Sequence, residues 1–332
     1  MTEESRTQPS LDEYVDGVLG GDRAMLARAI TLVESSAPAH APLAARLLER
    51  VLPHSGGALR VGITGAPGVG KSCLIERLGG HLTGRGRRVA VLAVDPSSSI
   101  SGGSILGDKT RMVHLSRDPA AFIRPSPSSG SLGGVARSTR EAMLLCEAAG
   151  FDVVLVETVG VGQSEITVRS MVDFFLLLML AGAGDELQGL KKGVIELSDA
   201  LVVTKADSDN VQQAERARAE YARALTFLSP VTRGWKVEAL SCSSVTGVGI
   251  PELWALVERH QQQGQQSGTL QERRQAQALD WMHSLIARRL ELDFYDNPAV
   301  TALRGELEQA VRQGQITPSA AATRLLEAAG LE

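Results

Sequence analysis

The fold class predicted for this chain is α/β: a doubly wound, mostly parallel sheet domain with helical extensions at both ends. Three observations predict it. Between residues 56 and 262, short continuous apolar runs alternate with longer helical stretches. Runs of that kind are what a parallel sheet covered on both faces requires. The first run, Leu59–Thr64, leads directly into Gly65-Ala-Pro-Gly-Val-Gly-Lys-Ser72. This is a complete G-x-x-x-x-G-K-S loop between a strand and a helix. Acidic and polar motifs then close later runs, at the strand ends where doubly wound sheets hold ligands.

Each element follows in order. Residues 1–55 read as helices: Leu11, Val15, Val18 and Leu19 make one stripe, Leu26, Ile30 and Val33 a second, and Leu43, Leu47, Leu48 and Val51 a third. Gly20-Gly21 and Pro38 punctuate them. Strands are expected at Leu59–Thr64, Val89–Val94, Val153–Glu157, Asp173–Leu180, Ala200–Thr204 and Lys236–Ser241. Helices are expected at Lys71–Thr83, Gly134–Ala149, Val211–Leu225 and Ile250–Gln262, the last opening with Pro251 in its first turn. Gln261–Gln266 reads as a polar hinge. Beyond it, residues 263–332 form a helical arm: Leu279, Met282, Leu285, Ile286, Leu290 and Leu292 continue as an amphipathic helix, and Thr317-Pro318 starts a final one. Such an arm must dock its apolar face on its own body or on another subunit.

Composition excludes several classes. The chain has 332 residues, 43% hydrophobic, enough for one large core with appendages. A net charge of −4 argues against nucleic acid as the main partner. Arg85, Arg87 and Arg88 read as the solvated end of a helix entering a strand. Cys73, Cys146 and Cys242 are far apart, so neither a disulfide framework nor a zinc site is expected, and a reducing cytoplasm fits. Cys73 and Cys146 fall on expected helices, where a small buried hydrophobe is the ordinary role. The first 30 residues carry Glu3, Glu4, Asp12, Glu13 and Asp16 and no long apolar stretch, unlike a signal peptide. The most apolar segment, Phe174–Leu180, is too short for a membrane span.

The chemistry concentrates around phosphate. Gly65, Ala66, Pro67, Gly68, Val69, Gly70, Lys71, Ser72 and Cys73 make the phosphate-binding set. Backbone N–H groups turn inward, Lys71 reaches the β and γ phosphates, and Ser72 ligates Mg²⁺. The helix dipole points at the same anion. Asp95 closes the second run and Asp108 follows in Gly107-Asp108-Lys109-Thr110-Arg111. Either holds Mg²⁺ or orients an attacking water, or serves only as a cap or turn residue. Glu157-Thr-Val-Gly160 has the form acidic-x-x-Gly: the acid faces the metal and the Gly160 N–H touches the γ-phosphate. Thr204-Lys-Ala-Asp207 resembles the guanine-reading motif N-K-x-D with Thr for Asn. Asp207 accepts from the guanine ring N–H and amine, and Lys205 packs across the base. Ser243, in Ser241-Cys-Ser-Ser244, lies where GTPases add a backbone contact to the base.

With those residues in place, Asp95-Pro-Ser-Ser-Ser99, Gly102–Met112, Glu157-Thr-Val-Gly-Val-Gly-Gln-Ser-Glu165, Gly182–Gly193 and Ile250-Pro-Glu-Leu-Trp254 resemble the MeaB/ArgK family of SIMIBI-class P-loop GTPases. The resemblance covers essentially the whole chain. It implies a homodimeric, cytoplasmic GTPase that gates adenosylcobalamin loading and protects a B12-dependent acyl-CoA mutase, typically methylmalonyl-CoA mutase, with an adenosyltransferase as a further partner and neither nucleic acid nor membrane. It implies that Ser72, Asp95, Asp108 and Glu157 surround Mg²⁺, and that Leu180–Lys192 is an additional switch meeting the mutase. Lys191, with Arg111 and Asp185, is a candidate coupling residue there. Ser244 stands where the family commonly has Ala. Val161 occupies the place of the water-orienting Gln of Ras-like enzymes, so intrinsic hydrolysis is expected to be slow and stimulated by the client. Two alternatives share parts of this pattern. A nickel-delivery SIMIBI GTPase wants Cys/His ligands near the switches, and an ATPase or kinase linked to amino-acid transport wants a different base reader.

Overall fold

The computed structural model describes residues 8–94, 112–125, 132–158, 164–182, 192–228 and 231–331. The chain forms two compact units, Met1–Arg274 and Gln275–Glu332. In the larger unit the strands are β1 (Leu59–Gly65), β2 (Val89–Val94), β3 (Ala121–Arg124), β4 (Val153–Thr158), β5 (Phe174–Met179), β6 (Ala200–Val203) and β7 (Glu238–Ser241). They form one sheet in the order β3-β2-β4-β1-β5-β6-β7, and every pairing is parallel. β4, β5 and β6 are buried at every position, which is why they read as unbroken apolar runs.

Helices cover both faces. α1 (Leu11–Leu19), α2 (Arg23–Glu34), α3 (Ala41–Val51) and α5 (Leu132–Ala148) contribute to one core layer; α4 (Lys71–Thr83) and α9 (Ile250–Ser267) contribute to the other. Between them in sequence lie α6 (Ser164–Arg169), α7 (Lys192–Leu197) and α8 (Val211–Leu225). The N-terminal helices are capped as their sequence directs. Ser10 and Glu13 form a capping box on α1, and the Asp22 carboxylate accepts from the N–H groups of Ala24 and Met25 on α2. Gly62, mid-β1, is a close-approach position: a Cβ there would lie 2.8 Å from the Phe175 ring and 2.9 Å from Val168.

Four readings of the sequence are corrected. The Gln261–Gln266 segment is helical, part of α9; the break comes at Gly268, which has φ +78°. Five glutamines, good helix formers, outweigh both their polarity and the one glycine, Gly264. β3 was not expected: with four residues at the sheet edge, its signal is too short. Cys73 is exposed, although Cys146 and Cys242 are buried, because position 73 lies on the outward face of α4. Of the arginine cluster, Arg88 is not simply solvated. Its guanidinium stacks 4.7 Å from the Phe151 ring centroid and donates to the Ala149 carbonyl at 2.8 Å.

α10 (Thr269–Tyr295) starts in the larger unit and runs into the smaller one, which also holds α11 (Pro298–Arg312) and α12 (Pro318–Ala328). Val300, Leu307 and Ala321 are its buried side chains, while Leu279, Met282, Ile286 and Leu290 are exposed. No described helix is long and apolar enough to cross a membrane.

Two buried titratable groups in the larger unit oppose each other. His260 lies edge-on to Phe174 and Trp235, with ring centroids 5.1 and 4.7 Å away. Burial pushes it down from 6.5 to about 4, against the pull of Asp199. Burial pushes Glu141, on α5, up from 4.5 to about 7, against Arg137. Between those values the unfolded chain binds the extra proton at position 260 and the folded chain binds it at position 141. His260 therefore makes stability rise with pH and Glu141 makes it fall. Each shift is worth about 3 kcal/mol. Glu141→Gln is expected to leave the His260 slope, a gain of about 3 kcal/mol from pH 4 to 6.5 relative to the unsubstituted chain. His260→Gln is expected to leave the opposite slope from pH 4.5 to 7. Urea midpoints across that range read both.

Candidate nucleotide-binding site

β1 lies between β4 and β5, and its C-terminal end carries the glycine-rich loop. Gly65 has φ +149°, and a Cβ there would sit 2.6 Å from the Leu178 carbonyl oxygen, so only glycine lets the loop leave the sheet at this point. Gly70 caps α4 in the left-handed conformation with φ +101°. Lys71 and Ser72 open α4 and are both buried. The Lys71 ammonium curls back over the loop, donating to the carbonyls of Gly65 at 2.8 Å and Ala66 at 3.2 Å. The first N–H groups of α4 point the same way, and helix N-termini favour anions.

The β1–β4 register places Ile63 opposite Glu157. That pairing brings the acid of the fourth strand to the loop. Ser72 Oγ donates to Glu157 Oε1 at 3.0 Å, both residues being buried. One residue on, the hydroxyls of Thr64 and Thr158 meet at 2.8 Å and fasten the two strand ends together. A seryl oxygen beside a carboxylate is a hard donor set, which suits Mg²⁺ and not a soft metal. Among the described residues no group of three or more His, Cys, Asp or Glu is placed to hold a metal ion.

At the far end of the site, Thr204 closes β6. Its hydroxyl donates to the Val69 carbonyl in the phosphate loop at 2.7 Å. The residue that departs from N-K-x-D therefore links the base-reading segment to the loop. Lys205 is exposed, with φ +57°. Asp207 Oδ2 accepts from Ser243 Oγ at 2.5 Å, and Ser243 Oγ in turn accepts the N–H groups of Val245 at 3.2 Å and Thr246 at 3.0 Å. Ser243 thus meets Asp207 through its side chain. Arg77, from α4, donates to the Thr246 carbonyl at 3.0 Å and braces the same loop. A cavity of about 760 Å³ lies against this loop, lined in part by Cys73, Arg77, Ser244 and Thr246.

The structure thus brings Ser72 to Glu157, Thr204 to the phosphate loop and Asp207 to Ser243. Asp95, Asp108, Gly160 and Lys191, with Arg111 and Asp185, lie outside the described residues. The sequence reading missed Arg77 and the linking role of Thr204. A hydroxyl residue at a strand end was the available signal for Thr204; the Arg77 contact spans 169 positions and had none. Thr204→Val keeps the shape and removes the donor to Val69. It is expected to weaken nucleotide binding about tenfold, since an orphaned buried acceptor costs about 1–3 kcal/mol. Thr204→Asn restores a donor and is expected to restore most of the affinity in calorimetric titration.

A phosphate loop at the end of β1, a buried acid on the neighbouring strand and a base-reading segment after β6 define a P-loop GTPase. Residues 26–299 match the family model described as methylmalonyl Co-A mutase-associated GTPase MeaB, and the chain belongs to that family. It is 55% identical to a probable GTPase of Mycobacterium tuberculosis over 324 residues, 96% of each chain. It is 46% identical to the mouse protein named methylmalonic aciduria type A homolog, mitochondrial, over 97% of this chain and 80% of that one. A crystal structure titled LAO/AO transport system kinase superposes with a TM-score of 0.77 at 38% identity, covering 98% of both chains.

Proposed function

We propose that this chain is a GTP-driven switch that gates adenosylcobalamin loading of a B12-dependent acyl-CoA mutase and protects it, with methylmalonyl-CoA mutase as the client. The hydrogen bond between Ser72 and Glu157 carries the reading. It couples the loop that would hold the nucleotide to the strand leading into residues 159–163, where a switch must respond. The family and the mouse relative supply the client, through the mutase and the methylmalonic aciduria in their names.

Ser72 and Glu157 would hold Mg²⁺ in this reading, with Asp95 and Asp108 as further members. The ion would neutralise charge on the phosphoryl oxygens. Lys71 moves from the Gly65 and Ala66 carbonyls to the phosphates, a stronger charge-assisted pairing. Asp207, oriented by Ser243, accepts from the guanine edge. Val161 offers no hydrogen bond to an attacking water, so hydrolysis is slow until the client orders the remaining groups, Lys191 among them. The reading includes a homodimer: Leu279, Met282, Ile286 and Leu290 recur at helical spacing on α10 and are exposed. The transport-kinase reading is disfavoured by Asp207, whose carboxylate suits guanine and not adenine.

The experiment is the GTPase rate with and without methylmalonyl-CoA mutase. A slow basal rate, raised at least several-fold by the mutase, is expected. Rapid turnover that the mutase leaves unchanged would sink the proposal.

A further inference from the structure

The loop that follows β7 is pinned at its ends and bare at its tip. Cys242 and Ser243 at its start and Ile250 beyond its end are buried. Between them Val245 and Val248 are 79% and 68% exposed, so burial of apolar surface does little to hold the tip. The cavity of about 760 Å³ is lined both by this tip, through Ser244 and Thr246, and by α4, through Cys73 and Arg77. The loop also bonds to itself: the Gly247 N–H donates to the Ser243 carbonyl at 2.9 Å, and the Ser243 N–H to the Val248 carbonyl at 3.0 Å. Those bonds close the turn and fix nothing outside it.

Among the described residues, two side-chain hydrogen bonds reach beyond the loop. Ser243 Oγ donates to Asp207 Oδ2, and Arg77 Nη2 donates to the Thr246 carbonyl. Gly247 lets the guanidinium come this close: a Cβ there would fall 2.6 Å from Nη2 and 2.9 Å from Nε of Arg77. Arg77 itself stands on a fixed helix. Leu74, Ile75 and Leu78 of α4 are fully buried, and Glu76 accepts the N–H groups of His114 at 2.8 Å and Leu115 at 3.2 Å.

A chain of contacts therefore runs from the phosphate-loop helix to the base reader: Arg77 to the Thr246 carbonyl, the Thr246 N–H to Ser243 Oγ, and Ser243 Oγ to Asp207. We propose that Arg77 is a positioning residue for base selectivity. It holds the loop tip beside the cavity so that Ser243 keeps the Asp207 carboxylate aimed at the guanine edge. This rests on the reading of Asp207 as the base reader and adds what aims it. A carboxylate accepts from both the ring N–H and the exocyclic amine only when it lies near the plane of the base; turned out of that plane, it keeps at most one well-aligned contact. The charge of Arg77 also attracts phosphate, but that attraction is the same for every base.

The test is calorimetric titration of the full chain with GDP, IDP and ADP. Hypoxanthine keeps the ring N–H and carbonyl of guanine and lacks its amine. The ratio of GDP to IDP affinity therefore reads the amine contact, and effects on phosphate binding cancel. The unsubstituted chain is expected to prefer GDP to IDP about tenfold or more. Arg77 is exposed, and methionine is a good helix former, so Arg77→Met removes the donor without threatening the fold. It is expected to lower the ratio about fivefold, chiefly by weakening GDP. Arg77→Lys keeps one donor on a long stem and is expected to recover most of the ratio. A ratio that Arg77→Met leaves unchanged, whether or not both affinities fall, overturns the proposal. An unsubstituted chain that prefers GDP and IDP equally over ADP also overturns it, while leaving Asp207 on the ring N–H. One that binds all three alike removes Asp207 as the base reader, and the proposal with it.

Discussion

Asp207→Asn is expected to lower GTP affinity by about 10²- to 10⁴-fold while raising affinity for xanthosine nucleotides. The carboxylate offers only acceptors, one of them already fixed by Ser243 at 2.5 Å. Guanine offers two donors along the edge that Asp207 would face. Hydrogen bonds to a charged group are worth about 1.5–3 kcal/mol each, so losing two costs about 3–6 kcal/mol. An asparagine amide presents a donor to that edge, which repels the guanine amine and suits the carbonyl of xanthine. Ser243 remains in place, held by the N–H groups of Val245 and Thr246, so the loop keeps its shape. Calorimetric titration with GDP and XDP measures both changes. Equal losses for the two bases would mean that the substitution has only damaged the loop. Equal affinity of the unsubstituted protein for GTP and ATP would remove Asp207 as the base reader altogether.

The parts of this molecule that could be read from the sequence are those whose cause is local. β1, β2, β4, β5 and β6 announced themselves because strands buried on both faces must be continuously apolar. The boundaries of α4 and α8 were legible to the residue, the first because the phosphate loop fixes where its helix begins. β3 carried only four residues of signal. Gln261–Gln266 misled because composition was weighed as a hinge, whereas helix ends follow backbone geometry and Gly268 provides it. The site divides the same way. Lys71, Ser72, Glu157 and Asp207 each sit in a short motif. The links between motifs span 85 positions for Ser72 to Glu157, 135 for Thr204 to Val69 and 36 for Ser243 to Asp207. Those distances exist only once the strand order is known. The floor of the sheet shows the extreme case: Arg274 and Asp173 are 101 positions apart and belong to no motif.

That floor carries the second large effect. Arg274→Met is expected to destabilise the larger unit by about 3–5 kcal/mol, because breaking a buried ion pair strands the remaining charge. Asp173 is fully buried, and its two carboxylate oxygens both face Arg274. One of them also accepts the Arg60 N–H at 2.9 Å, which is too little to solvate an anion. The substitution removes the donors to the Gly56 and Ala58 carbonyls as well, at the entrance to β1. Replacing both partners, Asp173→Leu with Arg274→Met, removes the stranded charge and is expected to recover part of the loss, since the penalty lies chiefly in the unpaired carboxylate. Urea unfolding of the single and double variants measures the coupling directly. Should the single variant unfold at the same midpoint as the unsubstituted chain, Asp173 must have found water, and the floor would be an open surface. Should the double variant be no better than the single, Arg274 would matter for the backbone carbonyls it holds and not for the charge it neutralises.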